Sequence, residues 1–159
     1  MQMTIAGIGR MKAGPERLLA ERYLDRVNKA GRRLSLSLSV REFPESRAGS
    51  AAARKDQEAG ALLAARPQGA VLVALDETGT DLDSRAFAQR LARWRDDGVA
   101  EVVFAIGGAD GFGTAVLEAA TLRLAFGAMT WPHQMVRLML AEQTYRAVTI
   151  LSGHPYHRD

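Results

Sequence analysis

The chain has 159 residues, long enough for one domain with a sizeable core and no need of cross-links. It contains no cysteine, which excludes disulfides, thiolate metal sites and cysteine nucleophiles and is compatible with a reducing compartment. The formal charge of +3 hides an asymmetry: no acidic residue occurs from Ala119 to Ala141, Arg146 and Arg158 follow, and Arg10, Lys12, Arg17, Arg22, Arg26, Lys29, Arg32 and Arg33 form a second basic cluster.

Either cluster alone reads as a solvated helix face, but two flanking one Gly-rich region point to a polyanionic partner. No stretch is long and apolar enough for a membrane helix, and the start does not resemble a signal peptide. The expectation is a soluble, cytoplasmic protein organised as one domain over residues 1–159.

Met1 to Gly9 reads as a buried opening strand, and Gly14-Pro15 starts a helix through about Ala30. Gly7-x-Gly9 is too short for a dinucleotide fingerprint and is read as a tight strand exit. Leu34, Leu36, Leu38 and Val40 alternate with serines, which predicts a half-buried strand. Phe43 to Ser50 is expected to be a mobile polar loop, followed by a helix over about Ala51 to Ala65 that Pro67 closes.

Ala70 to Asp76 is a continuous apolar run, the mark of a strand covered on both faces and hence of a parallel sheet. Glu77 to Thr80 is read as a turn, and Asp83 or Ser84 caps a helix over about Arg85 to Asp97 that Gly98 ends. The buried strand Glu101 to Ile106 enters Gly107-Gly-Ala-Asp-Gly111. A short helix near Thr114 to Ala120 and a strand Leu122 to Phe126 follow. Val136, Met139, Leu140, Ala147 and Ile150, with Arg137, Glu142 and Arg146 between them, have helical spacing from His133 to Leu151. Pro132 suits the entry of that helix and Gly153 its exit. This alternation of strands and helices predicts an α/β fold with a mostly parallel sheet and helices on both faces.

Gly107, Gly108 and Gly111 lie between a buried strand and a helix, where a phosphate or dinucleotide site must be considered. The Rossmann pattern needs a glycine where Ile106 stands and an acid about twenty residues beyond Gly111, where Trp131 stands instead. No P-loop or nucleophile-elbow motif occurs, and the three histidines lack metal-ligand spacing. The glycines therefore mark a tight turn or a close approach of ligand to backbone. The ending offers stacking faces at Tyr156 and His157 and bidentate cations at Arg146 and Arg158, a set suited to a base and a phosphate. Trp131 and Tyr145 fit a core role equally well.

Leu75-Asp-Glu-Thr-Gly79, Ile106-Gly-Gly-Ala-Asp-Gly111, Met129-Thr-Trp-Pro-His133, Glu142-Gln-Thr-Tyr-Arg-Ala147 and His154-Pro-Tyr-His-Arg158 together resemble the motif set of the RlmH (YbeA-type) family. These are SPOUT-class methyltransferases acting on N3 of a pseudouridine in 23S, large-subunit, ribosomal RNA. The resemblance runs in order along essentially the whole chain. It implies a C-terminal trefoil knot, where pattern alone predicts an unknotted doubly wound sheet. It also implies a homodimer that acts on assembled ribosomes, with no membrane and no metal.

S-adenosylmethionine is the implied cofactor, touching Leu75, Glu77, Gly107, Gly108 and the loop Gly127, Ala128, Met129, Thr130, Trp131 and Pro132. Arg146, Tyr156, His157 and Arg158 match the residues expected around the target base. Trp131 and Thr78 depart from the usual pattern, in pocket size and in a surface contact. Two other classes compete: a non-catalytic ribosome-assembly module using the same basic face, and a dinucleotide oxidoreductase, which the missing acid and glycine disfavour.

Overall fold

The apolar runs of the sequence become the strands of one five-stranded, wholly parallel sheet with the order β2-β1-β4-β3-β5. The structure, a computed structural model, describes residues 1–157. Its elements are β1 (Gln2–Ile8), α1 (Pro15–Ala30), β2 (Ser37–Phe43), α2 (Ala51–Ala64), β3 (Val71–Asp81), α3 (Ser84–Asp96), β4 (Glu101–Ile106), α4 (Thr114–Ala119), β5 (Leu122–Ala125) and α5 (His133–Leu151).

Side chains alternate across the pleat, so each strand feeds two cores. Met3, Ile5, Val73, Phe104 and Leu124 face the layer of α1, α3 and α5, meeting Val27, Leu91, Leu140 and Val148. Ala6, Ile8, Leu72, Ala74 and Ala105 face α2 and α4, meeting Ala59, Leu62 and Val116. The small residues on the second face let those helices lie close. The buried threonine hydroxyls are satisfied: Thr4 Oγ1 donates to Glu101 at 2.7 Å, and those of Thr144 and Thr149 donate back into α5.

Helix α5 packs against both α1 and α3, so its apolar surface is wider than a single stripe. Proline at its N-cap and Gly153 at φ +67° beyond its end bound it as expected. Asp83 caps α3 by accepting from the Ala86 amide at 2.7 Å.

Three expectations need correction. Gly31–Leu34 forms a 3-10 turn and Ser35 takes a left-handed conformation, so β2 starts only at Ser37 and extends to Phe43. Its alternation is real through Leu36 and Leu38, but Val40 is exposed because β2 is an edge strand. The turn expected at Glu77 to Thr80 does not end the strand: Leu75 and Thr80 both pair with Leu124, so Asp76 to Gly79 bulge out between them, Thr78 bonding back to Asp76, and β3 resumes to Asp81. Gly79 lies so close to β5 that a Cβ there would stand 2.7 Å from the Arg123 backbone.

The loop before α2 is tied down rather than loose. The Ser46 amide donates to the buried Glu58 at 2.9 Å, its hydroxyl to Gln57 at 2.7 Å, and Arg54 holds the Ala48 carbonyl at 3.2 Å. Arg137, which the sequence shows only as a charge between apolar positions of α5, is 2% exposed, because main-chain carbonyls and a carboxylate at the ends of β1 and β2 receive it.

Candidate functional site

The carboxyl ends of parallel strands leave backbone groups and loop residues at one edge of the sheet, the usual place for a ligand in such folds. Here the ends of β3, β4 and β5 and the first turn of α5 enclose a cleft of about 480 Å³. Pockets of that order take ligands of cofactor size. Leu75 and Glu77 line it from β3, Gly107 and Gly108 from the turn after β4, and Gly127, Met129, Thr130, Trp131 and Pro132 from the loop before α5. Of the cofactor contacts read from the sequence, only Ala128 does not line it.

The walls are largely apolar, with Ile106, Leu124, Phe126 and Val136 beside Trp131 and Met129. The apolar part suits a flat, weakly polar ring, while Asp76, Glu77, Asp110, Thr130 and His133 give the same cleft a polar side. Thr130 Oγ1 donates to Glu77 at 3.1 Å, the Trp131 indole to the Phe126 carbonyl at 3.0 Å, and the Gly127 amide to Asp81 at 3.0 Å. These bonds give the loop a defined path although its residues are exposed.

The glycine turn is built for close approach. A Cβ on Gly108 would stand 2.7 Å from Glu58 Oε2 and 3.1 Å from Ile8, and one on Gly107 would stand 3.2 Å from the Gly111 backbone. The Gly111 amide closes the turn on the Gly108 carbonyl at 3.0 Å, at a φ of +79° that favours glycine. Arg54 of α2 grips Asp110 with two bonds, of 2.6 and 3.2 Å. This pair was not anticipated from the sequence, because its members lie 56 residues apart.

The hydrogen bond from Arg54, opposed in part by desolvation, holds the Asp110 carboxyl below its ordinary value. A lowered folded value means the pair adds stability above the ordinary carboxyl range and loses it as pH falls through the lowered value. The side chains of Arg54 and Asp110 are still 32% and 29% exposed, and solvent screening keeps the effect small. In acid titrations followed by circular dichroism, wild type is expected to outlast Asp110→Asn near neutrality, and the two should converge on acidification.

The expected acceptor residues assemble elsewhere. Glu142 on α5 accepts from Arg146 Nη2 at 2.5 Å and from the Tyr156 hydroxyl at 3.1 Å, and the hydroxyls of Tyr156 and Tyr23 stand 3.3 Å apart. Arg146 lies 5.0 Å from the Tyr156 ring centroid, while Arg26 of α1 covers both Tyr23 and Tyr145 at 5.6 Å. The two basic clusters of the sequence therefore meet where α1 packs on α5. Other members of the cluster from Arg10 to Arg33 are spent in ordinary helical pairs, Arg17 with Glu21 and Lys29 with Asp25.

Burial, with hydrogen bonds to Tyr23 and Glu142, pushes the Tyr156 phenol up, so it stays protonated and donates. The bond to Glu142 raises Arg146 and keeps it a cation. Tyr23 and Glu142 were missed as members of this group; only the contact of α1 with α5 reveals them. His157 lies half-buried beside Tyr156, and Arg158 lies outside the described residues.

None of Arg146, Tyr156 and His157 lines the 480 Å³ cleft. A second groove, of about 600 Å³, separates the two groups and shares Leu124, Phe126 and Gly127 with the first. It runs between α1, α3 and α5, with Leu19, Tyr23, Leu82, Met139 and Glu142 along it. Among the described residues no group of acidic and imidazole side chains could hold a metal ion, and no helix is long and apolar enough to cross a membrane.

The parallel α/β sheet thus carries a glycine-floored cleft at its carboxyl edge and, apart from it, an aromatic and basic cluster. Residues 1–157 match the family described as "Predicted SPOUT methyltransferase". The chain is 57% identical over 159 residues to the ribosomal RNA large subunit methyltransferase H of Nitrobacter hamburgensis, with 99% of each chain covered. It is 55% identical, again over 99% of each, to the protein of that name from Bradyrhizobium diazoefficiens. The chain belongs to the SPOUT methyltransferase family, in the group of ribosomal RNA large subunit methyltransferase H.

Proposed function

We propose that this protein is an S-adenosylmethionine-dependent methyltransferase that methylates N3 of a pseudouridine in 23S ribosomal RNA on assembled ribosomes, as a cytoplasmic homodimer. The observation that carries the reading is the convergence of Leu75, Glu77, Gly107, Gly108 and the loop from Met129 to Pro132 on one cleft, in a member of a methyltransferase family. Gly107 and Gly108 on the floor of the cleft and the apolar side chains of Ile106, Leu124, Phe126 and Val136 fit an adenosyl group. The pairing of β5 with β3 on both sides of the register break supports a C-terminal knot around this cleft.

The cofactor supplies a methyl group on a sulfonium, whose C–S bond breaks as the bond to N3 forms, leaving S-adenosylhomocysteine. Positioning can supply about 7–11 kcal/mol of such a displacement. The acceptor imide must also lose the proton on N3. Tyr156 is protonated and bound to Glu142, so it serves as a donor and a stacking face rather than as the base. Arg146, held cationic, is suited to stabilise the developing imide anion, and His157 is the side chain suited by type to take the proton. Arg158 keeps the role implied by the family resemblance.

Because the cleft and the acceptor cluster are separate within one chain, the active site is read as shared across the dimer, the tail of one subunit facing the cleft of the other. The groove between α1, α3 and α5, where Leu19 is 39% exposed, is the apolar face that supports such pairing.

Transfer of labelled methyl from S-adenosylmethionine to ribosomes, compared with naked large-subunit RNA, tests the reading. Both substrates come from cells lacking the modification. Label recovered as N3-methylpseudouridine on ribosomes alone is the expected result. No cofactor binding, with salt-sensitive RNA binding retained, overturns it in favour of an assembly module.

A further inference from the structure

Glycine inside a buried strand weakens the sheet unless its missing side chain makes room for something else. At Gly7 that something is Arg137: a Cβ there would stand 2.7 Å from its Cζ and Nη2 and 2.8 Å from its Nε. The guanidinium therefore lies flat on β1. Its Nη2 donates to the carbonyls of Ile8 at 2.5 Å and Gly9 at 2.8 Å, and its Nη1 to Glu42 on β2 at 2.9 Å. Glu42 also accepts from the Met11 amide at 2.7 Å, which ties in the chain leaving β1. Arg137 Nε is buried without a partner.

Burial opposes the charge of Arg137, with Glu42 and Glu45 offsetting only part of that cost. A well-packed apolar side chain generally stabilises such a site as well as an ion pair does. Stability alone is therefore a poor reason for an arginine here. What only the planar fork provides is several bonds in fixed directions, and so a fixed register of one element on another.

The place being fixed matters. Gly7 pairs with Ile106 in the sheet, and Ile106 and Gly107 line the cleft. So do His133 and Val136, on the turn of α5 that leads to Arg137. We propose that Arg137 is a positioning residue for the cofactor cleft: its guanidinium sets the first turns of α5 on the ends of β1 and β2, and so holds His133, Val136 and the preceding loop opposite Gly107 and Gly108. The inference rests on reading the cleft as the S-adenosylmethionine site.

Three variants test it. Arg137→Met keeps the apolar stem and removes the fork, Arg137→Lys keeps the charge with a single donor group, and Gly7→Ala displaces the guanidinium. In Arg137→Met, amide hydrogen exchange over residues 127–138 is expected to rise at least about tenfold, while that of β3 and β4 stays unchanged. The Kd for S-adenosylmethionine should rise about tenfold with the maximal methylation rate reduced less than about threefold, and Arg137→Lys should fall between.

Gly7→Ala should reproduce the loss in the natural background and do little on top of Arg137→Met, where its Cβ no longer meets a guanidinium. If Arg137→Met does not fold, the other two variants carry the same comparison. Unchanged exchange over residues 127–138, or faster exchange with an unaltered Kd, overturns the proposal. Wild-type protein that binds no S-adenosylmethionine overturns the reading of the cleft and this inference with it; tight wild-type binding matched by the variants overturns this inference alone.

Discussion

Gly108→Val is expected to weaken S-adenosylmethionine binding and to lower methyl transfer by at least about a hundredfold, since a misplacement of about 1 Å in a positioning site already costs that much in rate. The added side chain has nowhere to go on the protein side: its Cβ meets the Glu58 carboxylate at 2.7 Å and Ile8 at 3.1 Å. Glu58 is 7% exposed and already accepts from the Ser46 amide, so withdrawing it loosens the loop before α2. Neither Glu58 nor Ile8 lines the cleft, so the substitution acts on it by displacing the glycine turn that does.

Overpacking of this kind also costs about 1–3 kcal/mol, readable by urea denaturation. Gly60→Ala is the control, because a Cβ there meets nothing within 4 Å. Calorimetric binding by Gly108→Val equal to wild type would remove the glycine turn from the site.

The second large effect is complementation between two inactive proteins. Gly108→Arg damages the cleft and Arg146→Ala the acceptor cluster, and each homodimer is expected to be nearly inactive. If the tail of one subunit serves the cleft of the other, a mixed dimer holds one doubly damaged site and one intact site. Random reassociation of equal amounts then restores about a quarter of wild-type activity, half of the dimers having half of their sites. Methyl transfer that stays at the parental level would place cleft and tail of the same subunit together and remove the shared-site reading.

The strands of the inner sheet were legible because burial on both faces leaves continuous apolar runs, as at Val71 to Ala74 and Val102 to Ile106. The helix limits were legible where Pro15, Asp83, Gly98 and Gly153 punctuate the chain. β3 was cut short because Glu77, Thr78 and Gly79 are turn-forming residues, and nothing local reveals that β5 pairs on both sides of them.

The cleft was legible as residues through the motif resemblance, yet its supports were not. Arg54 with Asp110, Tyr23 with Tyr156, and Arg137 with Glu42 join residues far apart in the chain, and a charge met in a helix reads as a solvated face. Arg137 shows the difficulty best. Its helical spacing was legible and its environment was not, because the groups that receive it are main-chain carbonyls that no sequence pattern displays.

The bond from Arg137 to Ile8 spans 129 positions of the chain, and β1 meets its inner neighbour β4 only after about a hundred residues have followed it. Such long closures are slow and come late in folding. During vectorial synthesis, then, the first strand to be made waits for the last helix. A nascent chain stopped short of α5 lacks the His133 and Val136 wall, so the cleft closes only once that helix has been made.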